Sequence, residues 1–286
     1  MTYGVDEPMT RRLDGHVIVV TGSTSGLGRT MVQVFASEGA SVAITGRSAG
    51  RGRAVEQEIG ASGGDALFIP MDIADEDDVR TAIDTAEHTF GRVTGLVNNA
   101  AWVQDRDGLD GPLSEIETEN WERLLRVDLT GMFLASKYGL RAIARSGGGS
   151  VVNISSAAGV RGQLGGHAYA AAKGAIQALT RSMAVYYSRY HIRVNCLGVG
   201  TIDTGEGRLK AILDDPVTGP GLRQHYLGRA GTPLEVAHAA AFLLSAEAGF
   251  VNGALLPVDN GATIRSHTFG TIVDMRDVPP PADPWI

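Results

Sequence analysis

The sequence predicts an α/β protein: one doubly wound domain with a mostly seven-stranded parallel sheet and helices on both faces. Three observations predict it. Short apolar runs alternate with longer stretches of helical periodicity along nearly the whole chain. Those runs lack polar alternation, as strands buried on both faces do. The residues that carry chemistry fall just after the runs, where an open parallel sheet binds its ligands.

His16–Val20 is the first strand. Thr21, Gly22, Gly26 and Gly28 then mark a tight turn, and Leu27, Met31, Val34 and Phe35 recur at helical spacing, giving a helix over 27–38. Strand, glycine turn and helix start in that order present backbone N–H groups to a pyrophosphate, which a Cβ in the turn would hold off. The plainer alternative is an ordinary glycine-rich turn. Strands follow at Ser41–Thr45, Ala66–Pro70 and Gly95–Asn98, with helices near 51–60 and 76–90 between them. Asp72 and Ile73 precede the acidic run DEDD, so the residues themselves read Asp72 as a cap for the helix that follows. A long helical region covers 115–145, then a strand at Ser150–Ile154 leads to Ser155 and Ser156. A helix over 168–188 carries Tyr169 and Lys173. The series closes with a strand at Ile192–Leu197, a helix over 233–246 and a strand at Ala254–Pro257.

Tyr169 and Lys173 stand four apart, so on a helix they project from one face. An ammonium beside a phenol favours the phenolate, and a tyrosine so placed exchanges protons with an alcohol or carbonyl near neutral pH. Alone the pair reads as easily as a solvated helix face. Its weight comes from the glycine turn at the other end of the chain.

At 286 residues with 43% hydrophobic content the chain has a sizeable core, and no linker divides it. We read residues 1–11 as a flexible arm, 12–264 as the domain and 265–286 as a tail. The tail's last eight residues are taken as disordered; TFGTIVDM, earlier in it, packs on a neighbouring subunit or over the active site as an alternative. Net charge is −7 with scattered basic residues, which gives no nucleic-acid stripe. There is no signal-peptide core and no membrane-spanning apolar run, so the expected location is cytoplasmic. Cys196 is the only cysteine and reads as a small core residue. No histidine has a partner at metal-ligand spacing, so no metal is expected.

In order, TGSTSGLG, LVNNA, Ser156–Tyr169–Lys173 and RVNCLGVGTIDT resemble the motifs of the short-chain dehydrogenase/reductase family, from about Leu13 to about Thr263. The resemblance implies a Rossmann-type domain that moves a hydride between a nicotinamide cofactor and an alcohol or ketone. It implies Tyr169 as general acid or base, Lys173 on the nicotinamide ribose and Ser156 on the substrate oxygen. Ser155 then points away. The implied cofactor residues are Gly22, Ser23, Thr24, Ser25, Gly26, Leu27, Gly28, Arg47, Asp72, Ile73, Asn98, Asn99, Ala100, Gly200, Ile202 and Thr204, with Tyr169 and Lys173. Family members that prefer NAD carry an aspartate where this chain has Gly46. Its loss, with Arg47 next, favours NADP(H), with NAD(H) possible, because a guanidinium fork suits a phosphate. Against this, Ser25 replaces a second basic residue of many NADP-dependent members.

Departures from the pattern are Asp128 for an asparagine in VDLTG, Val199 before Gly200, NNAA for NNAG, and Asn260 between Asp259 and Gly261. The family's asparagine supports a water in a proton relay. An ionised Asp128 near Lys173 should instead oppose phenolate formation and make the pH optimum more alkaline. Trp102, Leu164, His167 and Tyr226 are candidate pocket walls, and Asp203–Gly228 is a candidate lid. A homotetramer is the implied assembly. Two other readings stay open: a dehydratase or epimerase, and a cofactor-binding regulatory or scaffold protein disabled at Asp128.

Overall fold

A computed structural model describes residues 11–102, 109–162, 166–205, 207–214, 216 and 229–264. The strands are β1 (Val17–Val20), β2 (Ser41–Gly46), β3 (Asp65–Pro70), β4 (Gly95–Asn98), β5 (Gly149–Ser156), β6 (Ile192–Val199) and β7 (Leu255–Val258). They form one sheet of seven parallel strands in the order β3-β2-β1-β4-β5-β6-β7. The order reverses between β1 and β4, and this crevice is where such a sheet receives a ligand.

The helices are α1 (Gly26–Ser37), α2 (Ala49–Ala61), α3 (Glu76–Phe90), α4 (Thr118–Leu125), α5 (Gly131–Arg145), α6 (His167–Tyr187), α7 (Arg208–Asp214) and α8 (Pro233–Leu244). Alternation along the strands divides the core in two. Ile18, Val20, Val42, Ile44, Val97 and Val152 pack against α1, α2 and α8. Val19, Ala43, Leu96, Val151 and Val194 pack against α3, α5 and α6. Each strand is therefore apolar on both sides, which is why its sequence shows a run and not an alternation.

Helix starts differ in a way that matters for the site. Asp75 caps α3 by accepting from the N–H groups of Asp77 and Asp78, and three acidic residues fill the first turn. Thr232 and Glu235 form a reciprocal capping box on α8. α1 begins at Ser25 with no side-chain cap and no acidic residue in its first turn. α6 begins at Gly166, a glycine with φ of 72° that has no side chain to cap with.

The region expected as one helix over 115–145 is three pieces. α4 passes through a π-helical turn at Arg126–Thr130 into α5, with the Gly131 N–H reaching back to the Arg126 carbonyl. Apolar spacing does not register a single widened turn. The expected lid also holds a short helix, α7, where Gly, Pro and charge predict only a loop. Expectations for residues 1–10, 265–286, Leu164 and Tyr226 lie outside the described residues.

Candidate active site

The glycine turn joins β1 to α1. Ser23 Oγ donates to the Val20 carbonyl and accepts from the Thr45 N–H, so β1 and β2 are tied where they end. Asn99 Nδ2 donates to the carbonyls of Thr21 at 2.9 Å and Gly22 at 3.0 Å, and Thr21 Oγ1 accepts from the N–H groups of Asn99 and Ala100. A Cβ on Gly28 would lie 2.4 Å from the Gly22 carbonyl oxygen and 2.6 Å from Asn99 Nδ2. The turn can close this tightly only around glycine. With the uncapped start of α1, it offers backbone donors and a positive helix end to an anion, so the residues fit a dinucleotide pyrophosphate.

Arg47, just past β2, is exposed and forms no ion pair among the described residues, whereas Arg29 is held 2.7 Å from Glu58. A Cβ on Gly46 would meet the Thr24 side chain at 2.9 Å, so the glycine loop and the end of β2 are in contact. Asp72 does not cap α3; Asp75 does. Asp72 Oδ1 accepts from the Ala74 N–H, folding the chain after β3 into a tight turn. The Ile73 side chain is buried in the core beneath Gly131, where a Cβ would meet it at 2.6 Å. Asn98 is likewise a support. Its amide donates to Ser136 Oγ and Asn153 Oδ1 inside the protein, which leaves it no free donor for a cofactor.

After β6, Gly200 passes so close to Asp259 that a Cβ would lie 2.7 Å from its Cα. Asp259 holds the turn behind it by accepting from the N–H groups of Gly261 and Thr263. Asn260 sits there at φ 55°, a left-handed conformation that asparagine tolerates, which explains how it replaces glycine. Ile202 bridges Gly231, and Thr204 is exposed.

The catalytic candidates come from β5 and α6. Tyr169 is half-buried one turn before Lys173, whose Nζ lies 5.4 Å from the tyrosine ring centroid. Lys173 is only 3% exposed, and its Nζ donates to the Ile154 carbonyl at 3.2 Å. Alternation at the end of β5 separates the two serines. Ser155 is buried, donates to the Lys173 carbonyl and accepts from Gln177 Nε2. Ser156 is partly exposed and caps the short turn Ala157–Gly159 by accepting from the Ala158 N–H. Gln177, one turn beyond Lys173, also donates to the Ser156 carbonyl at 3.2 Å. Sequence reading passed over Gln177; its place in the Tyr169, Lys173, Gln177 series at four-residue spacing was the available signal.

Asp128 stands in the π turn and is buried. Its Oδ2 lies 3.8 Å from Lys173 Nζ, and its Oδ1 accepts from the Trp102 N–H at 2.6 Å. The widened turn brings it to α6, and the two charges share a site where an unpaired one would be costly. Trp102 is not an open pocket wall. It is buried among Leu124, Ala168 and Ala172, with the Arg123 guanidinium 4.5 Å from its ring centroid. Cys196 is buried within β6, and that burial pushes its thiol up to about 11, so it stays protonated at neutral pH. Among the described residues no cluster of His, Cys, Asp or Glu could hold a metal ion, and no helix is long and apolar enough to cross a membrane.

The chain matches one family model and is similar to several known proteins. The family model for enoyl-(acyl carrier protein) reductase matches residues 22–263. A cis-4-hydroxycyclohexanecarboxylate dehydrogenase of Sinomonas cyclohexanicum is 39% identical over 247 residues, covering 86% of this chain and 96% of its own. An L-fucose dehydrogenase of Oryctolagus cuniculus is 39% identical over 279 residues, covering 94% of this chain and 95% of its own. A solved short-chain type dehydrogenase/reductase from Mycobacterium ulcerans superposes with a TM-score of 0.81 at 32% identity, covering 88% of this chain and 91% of its own.

Proposed function

The chain belongs to the short-chain dehydrogenase/reductase family, and from that premise we propose an NADP(H)-dependent enzyme in which Tyr169, Lys173 and Ser156 interconvert a secondary alcohol and a ketone. That it is an alcohol dehydrogenase of the EC 1.1.1 class follows from its family and its relatives. The observation that carries the residue assignment is the buried Lys173 ammonium beside the Tyr169 ring, next to the serine that β5 leaves accessible.

When bound, the nicotinamide cofactor supplies the hydride donor or acceptor. The protein's part is proton transfer and charge stabilisation at the substrate oxygen. In the oxidative direction Tyr169 takes the alcohol proton on its phenolic oxygen; in reduction it returns a proton to the developing alkoxide. The Lys173 charge stabilises the negative phenolic oxygen, and the Ile154 carbonyl holds the ammonium in place. The Ser156 hydroxyl donates to the same substrate oxygen. The exposed Arg47 guanidinium would hold the 2′-phosphate of NADP(H), and Gly46 leaves no carboxylate there to repel it. The substrate class we favour is a moderately apolar or cyclic secondary alcohol, as the relatives' names suggest.

Phe133 on α5, Val185 and Tyr186 on α6 and Phe250 before β7 are large apolar side chains at the surface, which supports the homotetramer we propose. The decisive experiment compares the wild type with Tyr169→Phe in NADPH titration and in turnover against cyclic ketones and an enoyl thioester. Removing the proton donor should lower turnover by roughly 100- to 10,000-fold while NADPH binding stays within about twofold. Retained turnover would refute the assignment of Tyr169.

A further inference from the structure

The helix that carries Tyr169 and Lys173 does not cap itself. Gly166, at its N-terminus, has no side chain, and the first turn of α6 contains no acidic residue. The missing acceptors come from Asp110, far upstream in sequence. Asp110 Oδ1 accepts from the Ala168 N–H at 2.9 Å, its Oδ2 accepts from the N–H of Tyr169 itself at 3.0 Å, and its carbonyl accepts from the Gly166 N–H at 2.9 Å. Its neighbour Leu109 packs in the small core of Trp102, Leu124, Ala168 and Ala172, against which Tyr169 also rests.

Trp102, before Asp110 in the chain, is held by Asp128, which lies beside Lys173. Asp128 therefore links Trp102 to Lys173, and Asp110 binds the first turn of α6 at Tyr169, so a carboxylate stands at each member of the pair. We propose that Asp110 is a positioning residue for catalysis: it fixes the first turn of α6 so that the Tyr169 hydroxyl meets the substrate oxygen. A carboxylate gripping two adjacent N–H groups sets both the height and the rotation of that turn, and a small error at the proton donor costs rate out of proportion to its size. The inference rests on the catalytic reading of Tyr169.

The test measures turnover, KM, NADPH binding and thermal stability of the full chain carrying Asp110→Ala, Asp110→Asn or Asp110→Glu. Asp75→Ala is the control, because it removes the same kind of cap from α3. Asp110→Ala should lower kcat at least about tenfold, change KM less, and leave NADPH binding within about twofold. Asp110→Asn keeps an acceptor and should recover most of the rate. Asp75→Ala should lower stability comparably and leave kcat unchanged. If Asp110→Ala does not fold, Asp110→Glu serves: it keeps the charge but displaces the turn, and kcat must still fall. Unchanged kcat in the folded variant, or a loss in Asp75→Ala as large as that in Asp110→Ala, would overturn the proposal. Full activity in Tyr169→Phe would instead overturn the catalytic reading beneath it.

Discussion

The two halves of the site are built from different materials. Apart from the exposed Arg47, the groups at the ends of β1, β2 and β4 are backbone and small side chains, and the hydroxyls and amides there are spent holding one another: Ser23 on β1 and β2, Asn99 on the turn, Asn98 on β5. Around α4, α5 and α6 the work falls to charged side chains, the buried Lys173 and Asp128 and the half-buried Asp110, positioned by long-range contacts. The first half is a shape that accepts an anion. The second is an electrostatic device whose parts only make sense together. Substitutions in the first should change binding with little effect on pH dependence; substitutions in the second should do the reverse.

The sharpest way to break that contrast is Gly28→Ala. The new methyl would overlap the Gly22 carbonyl and Asn99 and force the turn open. Losing one or two hydrogen bonds to a charged phosphate corresponds to roughly 10- to 100-fold in Kd. NADPH and NADH should weaken together in a fluorescence titration, while the pH at half-maximal rate stays put under saturating cofactor. A pH shift here would mean that the halves are coupled.

Arg47→Ala is the next largest. If the guanidinium meets the 2′-phosphate, NADPH binding weakens by about tenfold and NADH binding does not change. Equal weakening of both, or of neither, would return the choice of cofactor to NAD(H).

Asp128→Asn tests the other half. The carboxylate lies 3.8 Å from Lys173 Nζ, and in general a negative charge disfavours the loss of a proton from a nearby acid. The amide keeps an acceptor for the Trp102 N–H and removes the charge. The pH–rate curve for alcohol oxidation should then move toward acid by roughly 0.5 to 1 unit, with NADP binding unaffected. An unmoved curve would assign Asp128 to structure alone.

These two halves were unequally legible. Every strand, the glycine turn and the Tyr169–Lys173 pair could be read because each rests on local spacing: apolar runs, glycines at fixed intervals, one helical turn. The π turn could not, since one extra residue in a helix barely disturbs its apolar stripe. Asp110 could not, because a cap supplied from a distant loop leaves no mark beside the helix it serves. Asp72 was open between two roles, and the acidic run after it hid the fact that Asp75 is the cap. Trp102 read as a pocket wall because composition cannot show that Arg123 covers its ring.

The smallest effect belongs to neither half and marks their common base. His16 enters β1 at the edge opposite the crevice, partly buried, with its Nδ1 3.3 Å from Thr94 Oγ1. Burial, with the positive charges of Arg92 and Arg193, holds its pKa below the ordinary 6.5. The unfolded chain therefore binds a proton that the folded chain refuses, and stability falls as pH drops below about 6.5. Exposed carboxylates such as Glu235, held down to about 2 by Arg229, titrate well below that window. His16→Gln should reduce the loss of Tm between about pH 7.5 and pH 5.5 and leave kcat unchanged, since the proton acts on the far edge of the sheet. If the Tm profile of the variant follows the wild type, the acid sensitivity lies elsewhere. If kcat moves with Tm, the sheet transmits strain from its base to α6, and the separation of binding from catalysis fails.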